Sequence, residues 1–337
     1  MKFRKSYCFD DVLLVPKYSD ICSRKEVSID SSLSNRVTLN IPIISSPMDT
    51  ITESVMATEM NNLGGLGIIH RYNTIEEQAS MVSNVEGIHA AAAIGVSGDY
   101  LERASSLIDA GANLLCIDVA HGHHSMMRHA LKTLRNTFGY DIHIMAGNVA
   151  TLDGFNDLAD WGADSIRVGI GGGSICSTRI QTGHGMPTLQ SIIDCSYSDR
   201  DATLIADGGI RNSGDITKAL AAGADAVMLG SLLSGTNETP GDILFDDSGK
   251  KCKAYRGMAS VEAQIDWRGH ASSVEGVSSV VSTKGSVSNV VGGLVTGIKS
   301  GLSYTGSKTI KSFQSSAEFV SQTSAGSIES STHISKN

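Results

Sequence analysis

Several residue types and patterns are scarce in this chain, and each scarcity excludes a class of protein. Aromatic residues make up 5% of its 337 residues, and none of its 6 cysteines forms a CxxC pair. Scattered cysteines give neither a zinc pattern nor a disulfide framework, so we expect a cytoplasmic protein in a reducing compartment. No apolar run approaches the ~18 uncharged residues that span a bilayer, so we predict no membrane partner.

Positive charge is also in short supply. The chain carries 27 Lys and Arg against 35 Asp and Glu, a formal net charge of −8. A general nucleic-acid binder usually presents a basic face, so we predict no nucleic-acid partner. A negative chain can still bind a phosphorylated small molecule, because backbone N–H groups hold phosphate locally.

Glycine, in contrast, is abundant, with 36 residues. Eight short apolar runs lie between Ile41 and Gly235, and amphipathic stretches separate most of them. Such runs are typical of strands buried on both faces of a parallel sheet. They predict an α/β fold, a single-domain (β/α)8 TIM barrel. The alternative is a doubly wound open sheet, but Ser174 stands where a dinucleotide-binding loop needs its third glycine.

Three segments depart from this alternation. The polar stretch at about 237–253 contains the turn signal DDSGKK and predicts a hairpin. The stretch at about 266–284 is rich in Ser, Gly and Val, without a pattern, and predicts a flap or lid. We expect the catalytic barrel to span residues 1–306, including both excursions. Residues 307–337 would form a C-terminal tail, either partly disordered or in contact with another subunit.

Polar residues directly after the apolar runs are the candidate site, because barrel chemistry lies at the carboxyl ends of the strands. Two late glycine-rich ends, Asp207–Gly209 and Gly230–Ser231, suit a phosphate held by backbone N–H groups. Three histidines, at 121, 123 and 124, have no matched carboxylate, so we interpret them as loop residues and not as zinc ligands.

Cys176 follows the bare loop VGIGGGS at residues 168–174. A lone cysteine is usually a small buried hydrophobe, but this loop has too few side chains to bury it. Backbone N–H groups can favour the thiolate that a nucleophile needs, and glycines let carbonyls fold around a cation. The residues thus predict a barrel enzyme whose cysteine attacks a phosphate-bearing substrate.

A set of motifs resembles the IMP dehydrogenase/GMP reductase family. In chain order from about Phe9 to Gly306 they are FDDVLLVPKYSD, PMDT, GGLGIIHR, GNVAT, GIGGGSICSTR, IADGGI, VMLGSLL and YRGMAS. The cysteine loop, ADGG and YRGMAS are highly specific together. The resemblance implies a (β/α)8 barrel that acts on purine nucleotides with a nicotinamide cofactor, usually as a homotetramer.

The same resemblance assigns roles to single residues. Cys176 would attack purine C2, and in the reductases Thr178 and Glu275 would assist it. The purine nucleotide would contact Ser174, Asp207, Gly209, Gly230, Ser231, Tyr255, Gly257 and Met258. The cofactor would contact Asp118, Asn148 and Arg71, the last standing where the family usually has Lys. Backbone carbonyls would hold a monovalent cation, K⁺, at Gly171, Gly173 and Cys176.

Two branches of the family remain open. The flap lacks an Arg-Tyr pair and carries Ser273-Val-Glu275-Gly, and barrel units two and three are joined without an insert. These features favour a GMP reductase, which converts GMP to IMP and ammonia with NADPH through a Cys176 thioimidate. The alternative is an NAD-dependent IMP dehydrogenase without CBS repeats, favoured by DVAHGHH and SAGSIESSTHI, with Arg268 as its candidate arginine. A third hypothesis is an inactive nucleotide-binding relative.

Overall fold

All eight apolar runs form parallel strands, and these strands close into one barrel. The computed structural model describes residues 3–330 and residue 332. Each strand pairs with the next in sequence, and the eighth pairs with the first. The predicted (β/α)8 barrel is confirmed, and the open-sheet alternative is wrong. The strands are β1 (Ile43–Ser45), β2 (Leu66–Ile69), β3 (Ala91–Ile94), β4 (Leu114–Asp118), β5 (His143–Val149), β6 (Ser165–Val168), β7 (Thr203–Asp207) and β8 (Ala226–Leu229).

A helix follows each strand and returns the chain to the amino-terminal end of the barrel. Capping side chains start several of them: Thr74, Thr151 and Asn212 each accept a hydrogen bond from a backbone N–H of the first turn. Gly111 and Gly162 follow two helix ends with φ of 106° and 113°, a conformation that favours glycine. The barrel helices are α1 (Ser54–Asn62), α2 (Ile75–Ser83), α3 (Tyr100–Asp109), α4 (Ser125–Phe138), α5 (Leu152–Asp160), α6 (Thr188–Cys195), α7 (Ser213–Ala221) and α8 (Val287–Ser303).

The barrel interior is a packed apolar core. Leu33, Val37 and Leu39 pack against this core and close one end of it. They lie in or beside the antiparallel strands Ser31–Ser32 and Thr38–Leu39. Cys116 belongs to this core, and burial raises the pKa of its thiol to about 12. That value agrees with its interpretation as an inert core cysteine.

The two excursions combine into a three-stranded antiparallel sheet beyond β8. Its strands are Leu244–Phe245, Lys251–Arg256 and Ser278–Ser282. The polar stretch at about 237–253 therefore contains the first turn of this sheet. The stretch at about 266–284, for which the sequence predicts a flap or lid, contains regular structure. The helix Val261–Arg268 covers its start, and residues 278–282 form the third strand, paired with residues 252–256.

The described part of the tail packs against its own chain. A helix, Ile310–Ser316, packs on α7, and a strand, Phe319–Ser321, pairs antiparallel with Val12–Leu14 near the amino terminus. A last helix spans Ser324–Glu329, and short 3-10 turns span Phe9–Asp11 and Arg24–Glu26. Within residues 3–330 and 332, no helix has the length and apolar character needed to cross a membrane.

Candidate active site

One cavity of about 360 Å³ opens at the carboxyl ends of the barrel strands. Every residue that the sequence assigned to the site lines this cavity. They are Arg71, Asp118, Asn148, Gly171, Gly173, Ser174, Cys176, Thr178, Asp207, Gly209, Gly230, Ser231, Tyr255, Gly257, Met258 and Glu275. They come from six of the strand ends and from the excursion after β8, so the barrel closure brings them together.

Three side chains form a hydrogen-bonded chain at one side of the cavity, which we call the reaction wall. The Cys176 thiol donates to Thr178 Oγ1 at 3.2 Å, and the Thr178 hydroxyl donates to Glu275 Oε2 at 2.7 Å. Cys176 ends the loop after β6, and Thr178 begins the short helix Thr178–Thr182. This chain can carry a proton from the thiol to the carboxylate.

The backbone holds Glu275 in this position. Its N–H donates to Ala259 O at 3.1 Å, and its carbonyl accepts from the Ser177 N–H at 2.8 Å. Gly276 pairs with Cys176 in an isolated antiparallel bridge. A Cβ at Gly276 would approach the Ser260 nitrogen to 3.0 Å, so a larger residue would displace the flap end from the turn at residues 257–260. Glu275 is therefore placed by the fold and is more than a flexible flap residue.

Arg167 is the central site residue that the sequence analysis missed. It lies in β6, nearly buried, and donates to Asp118 Oδ1 at 2.6 Å and to Asp207 Oδ2 at 2.9 Å. Asn148 also donates to Asp207 Oδ2, at 2.8 Å. Burial opposes the charge of Arg167, but the two carboxylates outweigh it and raise its pKa. An arginine inside the apolar run SIRV was the signal that could have revealed it.

A second side of the cavity, which we call the phosphate wall, is built from small residues around one phenol. It consists of Ser174, Gly209, Gly230, Ser231 and Tyr255. The hydroxyls of Ser174 and Tyr255 lie 3.3 Å apart, and burial raises the pKa of the phenol. A Cβ at Gly230 would come within 3.3 Å of Tyr255 Oη and 3.1 Å of Ser46 Oγ. This wall therefore depends on the absence of a side chain at Gly230.

The third side of the cavity meets the flap. Arg71 follows β2, and its Nε lies 4.0 Å from Asp118 Oδ2. Its guanidinium lies 5.5 Å from the ring of Tyr72 and 5.6 Å from that of Trp267, and those two rings stack with centroids 4.2 Å apart. Arg71 Nε is buried without a hydrogen-bond partner among the described residues, which leaves a donor for a bound group.

Arg268 is engaged within the flap and lies outside the cavity wall. Its guanidinium donates to Gln264 Oε1, to Ser272 Oγ at 2.7 Å and to the carbonyl of His270 at 3.2 Å. The helix Val261–Arg268 and the loop after it therefore engage its Nε and Nη2 donors. This arrangement places no arginine from the flap beside Cys176.

Two of the three loop histidines have partners in the protein. His123 Nε2 lies 2.8 Å from Asp157 Oδ2, and His124 caps the amino terminus of α4. Burial lowers the pKa of His121. Across the part of the chain that the structure describes, no three His, Cys, Asp or Glu residues are grouped so that they could hold a metal ion.

Fold and cavity together define a (β/α)8 barrel with a thiol-centred site at the carboxyl ends of its strands. Residues 6–333 match a family model described as "IMP dehydrogenase / GMP reductase domain". The chain belongs to the IMP dehydrogenase/GMP reductase family of oxidoreductases.

Individual relatives carry both names of the family. The chain is 34% identical to inosine-5′-monophosphate dehydrogenase of Nitrosopumilus maritimus, with 99% of each chain covered. It is 32% identical to GMP reductase of Leishmania major, with 96% of each covered. Among solved structures, GMP reductase from Trypanosoma brucei in complex with guanosine 5′-monophosphate matches with a TM-score of 0.94 at 31% identity, covering 99% of each chain.

The alignment with the Nitrosopumilus enzyme runs over 473 residues, longer than this chain of 337. That relative therefore has segments that this chain lacks. Residues 84–90 alone join α2 to β3, so barrel units two and three follow each other without an insert.

Proposed function

We propose that this protein is a GMP reductase that converts GMP to IMP and ammonia with NADPH. The observation that carries this proposal is the chain from Cys176 through Thr178 to Glu275, with links of 3.2 and 2.7 Å. The relative from Leishmania major named GMP reductase and the GMP-bound structure from Trypanosoma brucei support the same substrate.

The nucleotide would bind across the cavity. Its phosphate would meet the phosphate wall, where backbone N–H groups and hydroxyls can surround an anion. Asp207 would take the ribose hydroxyls. Because Arg167 and Asn148 hold Oδ2 of this carboxylate, its Oδ1 is the oxygen left to accept from the sugar. Gly257 and Met258 would border the base, which would bring purine C2 to Cys176.

The reaction wall would supply the proton chemistry. As Sγ of Cys176 bonds to C2, its proton passes to Thr178 and the Thr178 proton passes to Glu275. The protonated Glu275 then returns a proton through Thr178 to the 2-amino group, which leaves as ammonia when the C2–N bond breaks. A thioimidate remains on Cys176. Overall, GMP, NADPH and two protons give IMP, NADP⁺ and ammonium.

The residues at the third side fit a nicotinamide cofactor. Arg71 offers an unused buried donor there, and Asp118 and Asn148 line the same end of the cavity. When bound, this cofactor supplies the hydride that reduces C2 and lets the Cys176 thiolate depart. The carbonyls of Gly171, Gly173 and Cys176 would hold K⁺ and fix the loop, and the family's usual homotetramer is our proposed assembly.

The competing proposal is IMP dehydrogenase, favoured by the relatives that carry that name. It uses the same Cys176 adduct but needs a base that activates water. The flap arginine available for this, Arg268, lies outside the cavity wall with two of its nitrogens bonded within the flap, whereas Glu275 already accepts a hydrogen bond from Thr178. For this reason we favour the reductase.

A paired assay tests the proposal. Wild-type protein is given GMP with NADPH, and separately IMP with NAD, and reduced nicotinamide is followed by absorbance. We expect GMP-dependent NADPH oxidation with release of ammonia. NADH formation from IMP alone would assign the protein to the dehydrogenases. Nucleotide binding without turnover in either direction would favour the inactive relative.

A further inference from the structure

Lys284 connects the flap to the phosphate wall. It comes two residues after the strand Ser278–Ser282, and its side chain reaches back to the turn after β8. Its ammonium donates to Ser231 O at 2.6 Å, to Leu232 O at 3.1 Å and more weakly to Ser234 Oγ at 3.5 Å. Its backbone N–H also donates to Gly235 O at 2.8 Å. A single lysine therefore holds four groups in residues 231–235, three of them through its ammonium.

The chain contains a second lysine that makes the same kind of contact a few residues away. The Lys253 ammonium donates to the carbonyls of Thr236, Asn237 and Thr239, at 3.2, 3.3 and 2.6 Å. Burial lowers the pKa of both lysines. Lys253 is buried and holds carbonyls beyond the turn after β8, whereas Lys284 is exposed at the surface and holds carbonyls of that turn, which begins at Ser231 of the phosphate wall.

The geometry of the peptide bond shows how Lys284 orients backbone N–H groups in the turn after β8. In a planar trans peptide, the carbonyl and the N–H of one unit point in opposite directions. Holding Ser231 O therefore also sets the direction of the Leu232 N–H, which points away from the ammonium. Among the described residues, neither the Ser231 N–H nor the Leu232 N–H donates to a protein group. Of the two peptides that Lys284 holds, the one between Ser231 and Leu232 therefore has an N–H free for a ligand, whereas the Leu233 N–H donates to Gly230 O at 3.0 Å.

We propose that Lys284 is a positioning residue for the 5′-phosphate of the nucleotide. It fixes the turn after β8 through the carbonyls of Ser231 and Leu232, so that the backbone donors of this turn are arranged before the anion arrives. Preorganised donors bind more tightly, because the cost of ordering them is met in folding. The inference rests on the proposed function, which places a phosphate against this turn.

The test compares nucleotide with nucleoside. Calorimetric titration gives the dissociation constants of GMP and of guanosine, and their ratio measures how much the phosphate contributes. We expect wild type to prefer GMP strongly. Lys284→Met should reduce this preference roughly ten-fold, as loss of a charged hydrogen bond would, with little change for guanosine. Lys284→Arg, which keeps charge and donors, should restore most of it.

Lys253→Met is the matched control, since it removes a buried ammonium from neighbouring carbonyls and should leave the ratio unchanged. If Lys284→Met does not fold, Lys284→Gln takes its place. Equal ratios in wild type and in the folded variant would overturn the role of Lys284. Failure of both variants to fold, with Lys284→Arg folded, would assign Lys284 to stability and would also overturn it. Absence of a GMP preference in wild type would instead contradict the phosphate site, and with it the proposed function.

Discussion

The two main walls of the cavity are built in different ways. The reaction wall consists of three reactive side chains, Cys176, Thr178 and Glu275, each hydrogen-bonded to the next. The phosphate wall consists of glycines, hydroxyls and free backbone groups, with Tyr255 packed behind Gly230. The reaction wall works through the chemical reactivity of its side chains. The phosphate wall works through their small size, which leaves room for a ligand.

We therefore expect substitutions in the two walls to have different effects on turnover and on ligand binding. Removing a functional atom from the reaction wall should stop turnover and spare binding. Adding an atom to the phosphate wall should weaken binding, because the neighbours there are already close. Arg167 should matter for both, since it holds Asp207, to which we propose that the ribose binds, and Asp118, at the proposed cofactor end.

The largest expected effect is at Cys176. Cys176→Ala should lower kcat by roughly 10³-fold or more, because no other group on the reaction wall can form the covalent bond. The dissociation constant of GMP should stay within a few-fold of wild type. Steady-state rates and calorimetry measure the two quantities. Cys22→Ser, at an exposed cysteine, is the control, and activity of Cys176→Ala within ten-fold of wild type would contradict the covalent mechanism.

The next largest effect is at Glu275. Glu275→Gln should reduce ammonia release from GMP by about 10²–10⁴-fold, the usual contribution of a positioned general acid, because an amide cannot return a proton to Thr178. Glu262→Gln is the matched control, since that carboxylate also accepts from a flap hydroxyl, that of Ser278, but lies outside the cavity. Similar ammonia release from wild type and Glu275→Gln would remove Glu275 from the mechanism.

A smaller effect is expected on the phosphate wall. Gly230→Ala places a Cβ 3.1 Å from Ser46 Oγ and 3.2 Å from Met48 Sδ, and the overpacking should weaken GMP binding by roughly 10–100-fold. Gly292→Ala, in α8 with nothing within 4 Å, should leave binding unchanged. Unaltered GMP affinity in Gly230→Ala would show that the phosphate binds elsewhere.

The smallest effect is at Tyr255. Tyr255→Phe keeps the buried ring but removes the hydroxyl that lies near Ser174 and Gly230, so GMP affinity should fall by roughly ten-fold. Guanosine affinity should change little. If both ligands lost affinity equally, the phenol would act on the base or the ribose and not on the phosphate.

The sequence predicted the barrel because one pattern, an apolar run followed by a helical stretch, recurs along the chain. Eight continuous apolar runs with helical stretches between them point to one architecture. The site residues were predictable where they follow strand ends, since strand order alone brings such ends together. Cys176 and Asp207 lie far apart in the chain but share one cavity for this reason.

Arg167 and Lys284 escaped prediction for a different reason. Both act through long side chains whose targets depend on the finished fold. Arg167 looked like a stray charge in an apolar run, and Lys284 like one residue of an unpatterned lid. The strand Ser278–Ser282 within the flap also escaped prediction, because it is defined by its pairing with residues 252–256 and not by its own sequence.

Covalent catalysis by Cys176 is tested most directly by a single turnover of GMP with NADPH in excess enzyme. Samples are quenched in acid over time. Ammonia is quantified in each sample, and intact mass spectrometry detects nucleotide bound to protein. We expect an adduct on Cys176 that appears with the ammonia and decays as IMP forms. In Cys176→Ala we expect neither the adduct nor the ammonia. Ammonia released without a protein adduct, or an adduct formed only from IMP and NAD, would contradict it.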